Sequence, residues 1–238
     1  MIRYINLLFF AGMIVMNYLA NALPLNGKTT GQISDNLPNL FTPAGLTFSV
    51  WGVIYLLLAI FCILQFTSHA KEITINAGWI FALSCVFNAA WILAWHYEKL
   101  PLSLLIMIGL LISLILLNMQ IKDLPHGIVK ATFGIYLGWI CIATIANVTA
   151  LLVSIDWNGF GISPVIWTII MIAAGTLIVS LTLLRLNNPY IGIVVVWAFL
   201  GIIIKRQADY RIIAIVALLA ILVVGFFTFK VFLTKNRV

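Results

Sequence analysis

Long apolar runs follow one another along almost the whole chain, and they constrain its fold more than any other feature. Each run reaches or approaches the roughly 20 residues that a helix needs to cross about 30 Å of hydrocarbon. Strands of a transmembrane barrel would be shorter and would alternate polar with apolar side chains, which these runs do not do. The runs cover residues 4–23, 45–66, 77–96, 101–120, 128–153, 163–184, 190–204 and 212–233. The pattern predicts an all-α integral membrane protein.

The composition agrees with a membrane environment. Of the 238 residues, 64% are hydrophobic and only 8% are charged, whereas about 25% of the residues in a soluble domain are charged. The run over 190–204 is the weakest, because Pro189 precedes it and Lys205 and Arg206 follow it. About eight transmembrane helices are therefore predicted, with seven as the alternative.

The first run admits a second interpretation. Arg3, the apolar stretch and the small residues at 20–22 are compatible with a cleaved signal peptide. The length of the run and the late position of Asn17 and Tyr18 favour a retained first helix. Both interpretations stay open at the level of the sequence.

The positions of lysine and arginine predict the orientation, because cytoplasmic loops carry an excess of both. With eight spans, one side holds eight basic residues and the other holds five. The larger set contains Arg3, Lys71, Lys122, Lys130, Arg185, Lys230, Lys235 and Arg237, and the smaller set contains Lys28, Lys99, Lys205, Arg206 and Arg211. A multi-pass protein of the cell membrane is expected, with both termini in the cytoplasm and the first loop outside.

Ionisable side chains are missing from the centres of the predicted helices. Ion-coupled pumps and voltage sensors carry such groups at membrane depth, so these two classes are disfavoured. His69, His96 and His126 fall in loops or at helix ends, where a solvated boundary residue is the expected role. No spacing indicates a metal site or a catalytic triad. The sequence therefore predicts no catalytic residues, no metal and no enzyme activity.

Polar and aromatic residues recur on single faces of three predicted helices, at steps of three and four residues. An amide that faced lipid would leave its donors and acceptors unmet, so Asn88 and Asn147 are expected to point into the bundle. Interfacial aromatic belts and interhelical asparagines are the competing explanation, and Trp157, Trp167 and Trp197 are assigned to such a belt. The residues predicted to bind a ligand are Trp51, Tyr55, Asn88, Trp91, Trp95, Tyr136, Trp139, Ala143, Thr144 and Asn147.

The loop over residues 24–42 is the longest polar segment of the chain. A simple connector needs only about six residues, so the extra length predicts a lid that folds over the mouth of a pocket. Pro43, Gly45 and Phe48 follow this loop directly. They are predicted to form the mouth itself.

Three motifs carry a resemblance to a known family. They read Pro43-x7-Trp51-x3-Tyr55, then Asn88-x2-Trp91 followed by Pro101, then Tyr136-x2-Trp139-x3-Ala143-Thr144-x2-Asn147. In this order they resemble the tryptophan-rich sensory protein/translocator protein (TspO/MBR) family over residues 1–153. The resemblance implies a five-helix bundle with a pocket under the first loop, and ligands such as porphyrins, haem-like tetrapyrroles or cholesterol. Residues 154–238 would then add three transmembrane helices and a short basic tail.

Two departures from that family pattern bear on the ligand. Thr47 stands near a position where the family usually carries an aromatic residue, and the stretch 148–153 lacks the Tyr and the basic residue of sterol-binding members. Cholesterol recognition through that stretch is therefore not expected.

The sequence favours a membrane binding or sensor protein, a receptor for a hydrophobic, porphyrin-like ligand. The alternatives are a passive transporter of a small hydrophobic molecule, a porphyrin-modifying enzyme, and a purely structural membrane protein. The expected partners are membrane lipid and the hydrophobic ligand, with no nucleic acid. No cofactor is expected beyond a bound porphyrin or haem-like molecule. The small-residue step from Gly78 to Ala82 leaves a homodimer open.

Overall fold

The structure is a computed structural model that describes residues 1–23, 25–67 and 71–234, without the side chains of 71–73 and 75–76. His69, Lys235, Arg237 and the side chain of Lys71, which entered the sequence-based predictions, lie outside this description. Every regular element in the described part is a helix, which confirms the predicted all-α class. The α-helices are α1 Ile2–Asn21, α2 Thr30–Asp35, α3 Val50–Leu64, α4 Lys71–His96, α5 Leu100–Gln120, α6 Ile128–Ser154, α7 Pro164–Arg185, α8 Tyr190–Arg206 and α9 Arg211–Leu233.

Local residue chemistry explains where several helices begin and end. The Ser163 side chain accepts a hydrogen bond from the Ile166 amide, and Pro164 occupies the first turn of α7, where its missing N–H costs nothing. Glu98, Asp156 and Asn187 each follow a long helix and adopt positive φ angles of 53°, 50° and 47°. A left-handed residue at this position terminates the helix and turns the chain.

Seven segments of the described chain are long and apolar enough to cross a membrane. The remaining long helix, α8, has 17 residues, or about 25 Å of helix. At its start, the Asn188 amide donates to Asn118 Oδ1 at 2.8 Å. Near its end, the Gly201 carbonyl accepts from the Ala44 amide at 3.0 Å. Because Asn118 and Ala44 belong to opposite ends of the bundle, α8 runs from one end to the other even though it is short.

The helices pack in a continuous series. Helix α4 contacts α1 and α5, α5 contacts α6, α6 contacts α8, and α9 packs on both α7 and α8. The contact between α6 and α8 is very close, because a Cβ added at Gly138 would lie 2.4 Å from the Ile191 carbonyl oxygen. The predicted division at residue 153 stays a prediction, but the two parts pack directly on each other at this crossing.

The small residues Gly78 and Ala82 lie on α4, and at Gly78 this helix packs against α1 of the same chain. A Cβ added at Gly78 would lie 2.7 Å from Ile2 Cγ1 and 3.2 Å from Asn6 Nδ2. The close approach that this glycine permits is therefore taken by α1. A homodimer stays a prediction, but α1 already occupies the surface at Gly78 through which a second copy was expected to pack.

Candidate functional site

An aromatic cluster centred on Trp51 joins α3, α4 and α6. The Trp51 ring stacks on Tyr55 with centroids 5.4 Å apart and on Trp91 at 6.1 Å. It meets the edges or faces of Tyr136 and Trp139 at steep angles, with centroid distances of 6.1 and 6.2 Å. Offset stacked and edge-to-face geometries are the favoured ones for aromatic pairs. Four of the predicted ligand-binding residues thus surround a fifth.

A chain of hydrogen bonds lies beside this cluster and ties four helices together. The Tyr55 hydroxyl donates to Asn17 Oδ1 at 2.7 Å. The Asn17 amide donates to Asn88 Oδ1 at 2.8 Å, and the Asn88 amide donates to the Tyr136 hydroxyl at 2.8 Å. Asn88 and Tyr136 are fully buried. Both ends of the Asn88 side chain are engaged, so this residue ties the helices together. It lines neither of the two cavities described below, and its predicted contact with a ligand stays a prediction.

A second polar group anchors the other asparagine. Asn147 Oδ1 accepts from Trp91 Nε1 at 3.2 Å and from the Ser103 hydroxyl at 2.9 Å, while its amide donates to the Ala143 carbonyl.

Trp139 differs from these neighbours. Its indole N–H is buried and finds no acceptor among the residues that the structure describes. A buried donor left without a partner is costly, so Trp139 offers a hydrogen bond that only a guest molecule or water would accept.

These groups enclose a small cavity of about 40 Å³. Its lining includes the predicted residues Pro43, Phe48, Trp51, Trp91, Trp95, Trp139, Ala143 and Asn147. A larger cavity of about 270 Å³ lies on the other side of Trp51 and Phe48, and Tyr55, Gly45 and Asn17 also line it. Thr144 lines neither cavity, and its hydroxyl bonds to the Ile140 carbonyl of its own helix. The aromatic side chains therefore fill most of their own pocket and separate it from the adjoining space.

The first loop closes this region from one end. Its short helix α2 begins with a capping box, in which Thr29 and Gln32 satisfy each other's backbone amides. The Trp95 indole donates to the Thr30 carbonyl at 3.3 Å. His96 is fully buried, and its ring contacts the Leu25 carbonyl and the Thr30 hydroxyl at 3.2 and 3.0 Å. The expected solvated His96 is wrong, because the loop folds over the end of α4 and covers the ring.

The opposite edge of the loop forms hydrogen bonds with α8. The Arg206 guanidinium donates to the carbonyls of Leu40 and Asn39. Trp197 donates its indole N–H to the Thr47 carbonyl at 3.0 Å, which gives it a specific role beyond the interfacial belt predicted for it. Helix α8 therefore positions both the loop and the start of α3, and this supports the predicted lid.

Sequence reasoning missed several residues that shape the site. Asn17 links two helices, Ser103 bonds Asn147, and His96 and Arg206 hold the loop. Asn17 carried a signal, because an asparagine inside an apolar run needs a partner. Arg206 carried none, since only the fold brings the end of α8 to the first loop.

The comparison with protein families bears on this whole arrangement. The model of the family described as TSPO-like protein matches residues 3–230. The chain belongs to the TSPO-like family. The match confirms the resemblance drawn from the motifs, and it continues past residue 153 through α7, α8 and most of α9. The comparisons with curated proteins and with solved structures each returned no match. Membership in the TSPO-like family, together with seven apolar spans, indicates a multi-pass membrane protein of a binding or transport class.

Proposed function

We propose that this TSPO-like protein binds a flat, hydrophobic, conjugated ligand such as a porphyrin within the aromatic cluster. The observation that carries the proposal is the unpartnered indole N–H of Trp139, buried beside a cavity that Trp51, Trp91 and Trp95 also line. Stacked rings supply the apolar contact that a conjugated plane requires. The Trp139 donor supplies a directed hydrogen bond, and the Asn147 amide supplies another through its second N–H, since the first is given to the Ala143 carbonyl.

Binding requires the cluster to open. A cavity of about 40 Å³ holds no more than a water molecule or two, whereas ligand sites span about 300–1,000 Å³. Trp51 and Phe48 both line this cavity and the adjoining space of about 270 Å³, and Trp51 stacks on Trp91. A ligand that displaces Trp51 from Trp91 joins the two spaces, and its plane replaces the lost ring contacts.

Porphyrin titration tests this proposal. The Soret band of protoporphyrin IX is followed as the detergent-solubilised protein is added. Trp51→Ala and Trp139→Phe are each expected to weaken binding about tenfold, the equivalent of ~1.4 kcal/mol, because one loses a stacking wall and the other a hydrogen-bond donor. Trp79→Phe is the matched control, since Trp79 is 59% exposed on the outer face of α4. Equal dissociation constants for all four proteins would exclude the aromatic cluster as the site.

We further propose that the ligand is bound and sensed without being chemically changed. The tyrosine and asparagine groups around Trp51 are committed to hydrogen bonds between helices, which supports a holding role. The porphyrin absorption spectrum should keep its intensity under illumination in the presence of the protein. Loss of the Soret band with the native protein, but not with Trp51→Ala, would instead favour the porphyrin-modifying alternative.

The proposed orientation places the lid outside the cell and both termini in the cytoplasm. The three cysteines of the chain are buried, so an exposed cysteine introduced at either end of the bundle reports its side. Gln207→Cys, at the lid end, should react with a membrane-impermeant maleimide on intact cells. Lys122→Cys, at the opposite end, should react only after permeabilisation. The reverse pattern would invert the orientation, and the native protein serves as the unlabelled control.

A further inference from the structure

A second and much larger cleft lies outside the aromatic cluster. Its volume is about 700 Å³, well within the range of small-molecule sites. It is bounded by the first loop, the last turn of α6, the 157–162 connection, the start of α7 and the end of α8. Half of the lining residues, those from Trp157 to Tyr210, lie beyond the five-helix region of the TspO motifs.

One side of this cleft is apolar and aromatic. Leu152, Val153 and Met171 contribute aliphatic surface, and Trp157 and Trp167 contribute two rings whose centroids are 5.1 Å apart. The Trp167 indole N–H is already used, since it donates to the Gly159 carbonyl at 2.8 Å. The two indoles are therefore fixed as wall groups, and this part of the cleft suits a hydrocarbon chain.

The other side of the cleft is cationic. Lys205 and Arg206 line it together with one acidic residue, Asp35, so the charged lining residues sum to two positive charges less one negative, a net charge of +1. Arg206 already holds the backbone of the loop. The Lys205 ammonium has three donors, and its described hydrogen bond is a long one of 3.5 Å to the Pro43 carbonyl. Lys205 is thus the group with donors to spare.

We propose that this cleft binds a monoanionic amphiphile, a carboxylate with an aliphatic chain, with the carboxylate on Lys205 and the chain against Trp157, Trp167 and Met171. The net charge of +1 matches a single negative head group, and the carboxylate of Asp35 disfavours a dianionic phosphate in the same place. Charge-assisted hydrogen bonds from an ammonium to a carboxylate are among the stronger polar contacts. The site is separate from the aromatic cavity, although Ser34, Asn39 and Thr42 of the first loop line both.

Fluorescence titration with dansyl-undecanoate, a labelled fatty carboxylate, tests the proposal on the full-length protein in detergent. Energy transfer from tryptophan to the dansyl group reports binding. Lys205→Gln is expected to raise the dissociation constant about tenfold, because it removes the charge and leaves an uncharged polar side chain only slightly shorter than lysine. Arg211→Gln is the matched control, since Arg211 is an exposed cation at the same end of the bundle that does not line the cleft. The uncharged methyl ester of the probe should bind weakly to the native protein and equally weakly to Lys205→Gln.

Two further variants locate the probe. Met171→Trp fills the apolar side and should also weaken binding, whereas Trp51→Ala should leave the dissociation constant unchanged. An effect of Trp51→Ala without an effect of Lys205→Gln would place the fatty carboxylate in the aromatic cavity and overturn the proposal. Equal binding of the acid and its methyl ester would overturn it as well, since no head-group charge would then be recognised. Failure of porphyrin to bind leaves this test unaffected, because it relies on different residues.

Discussion

Replacing Gly138 with alanine is expected to lower the thermal stability of the protein. The added Cβ would lie 2.4 Å from both the Ile191 carbonyl oxygen and Val194 Cγ1. A flexible side chain can turn away from such a contact, but the Ile191 carbonyl belongs to the first turns of α8 and cannot. The helices α6 and α8 must then separate, and overpacking of this kind costs about 1–3 kcal/mol.

The chain provides a close control for this substitution. Gly225 lies within α9, and a Cβ added there meets nothing within 4 Å. Gly225→Ala should therefore leave the melting temperature in detergent unchanged or raise it slightly, because alanine is the better helix former. Equal melting temperatures for the two variants would mean that α6 and α8 are not in close contact.

The contact between α6 and α8 at Gly138 also affects the first loop, which ordinary core packing would not. Helix α8 carries Trp197, Gly201 and Arg206, which hold the first loop and the start of α3. Displacing α8 from α6 should therefore also expose the loop. Proteolysis within the loop is expected to be faster in Gly138→Ala than in Gly225→Ala at a temperature where both remain folded.

The helical class followed directly from the sequence, because hydrocarbon requires every backbone group to be paired and the runs are too long and too uniformly apolar for barrel strands. The aromatic cluster also followed, since Trp51 and Tyr55 are one turn apart on one helix and Tyr136 and Trp139 share a face of another. The sequence pattern did not determine how each helix is rotated about its own axis, and therefore which neighbour each side chain faces. The structure alone shows that Asn88 faces Asn17 and Tyr136 and forms hydrogen bonds with both.

The sequence indicated that the first loop is folded, but it did not indicate which residues hold the loop in place. The length of residues 24–42 indicated a folded loop, whereas its contacts come from residues distant in sequence. His96 and Arg206 both sit at helix ends, where sequence reasoning expects solvated groups. Which helix ends meet the loop depends on the direction in which α4 and α8 cross the bundle. That direction is set by the order and packing of all the helices, and no local sequence pattern reveals it.

Replacing Asn88 with leucine is the substitution expected to affect stability and binding together. It removes one of the two acceptors of the Asn17 amide, which keeps its bond to the Met13 carbonyl, and it leaves the Tyr136 hydroxyl without its donor, both at buried positions. Each unmet group costs about 1–3 kcal/mol in general, and hydrogen bonds between membrane helices average about 0.6 kcal/mol. A loss of roughly 1–3 kcal/mol is therefore expected, measured as the melting temperature in detergent. Asn21→Leu is the control, because the Asn21 amide bonds only to the Asn17 carbonyl of its own helix.

A double-mutant cycle with Tyr136→Phe separates the network from simple loss of packing. Removing the Tyr136 hydroxyl eliminates the acceptor of the Asn88 amide, so the two substitutions should cost less together than the sum of their separate effects. Asn88→Leu also removes the bond that holds Asn17 to α4. Asn17 accepts the hydrogen bond of the Tyr55 hydroxyl, and the Tyr55 ring stacks on Trp51. Porphyrin affinity should accordingly fall in Asn88→Leu although Asn88 does not line the cavity. Additive stabilities together with unchanged porphyrin affinity would mean that the hydrogen-bond chain neither couples the helices nor positions Trp51.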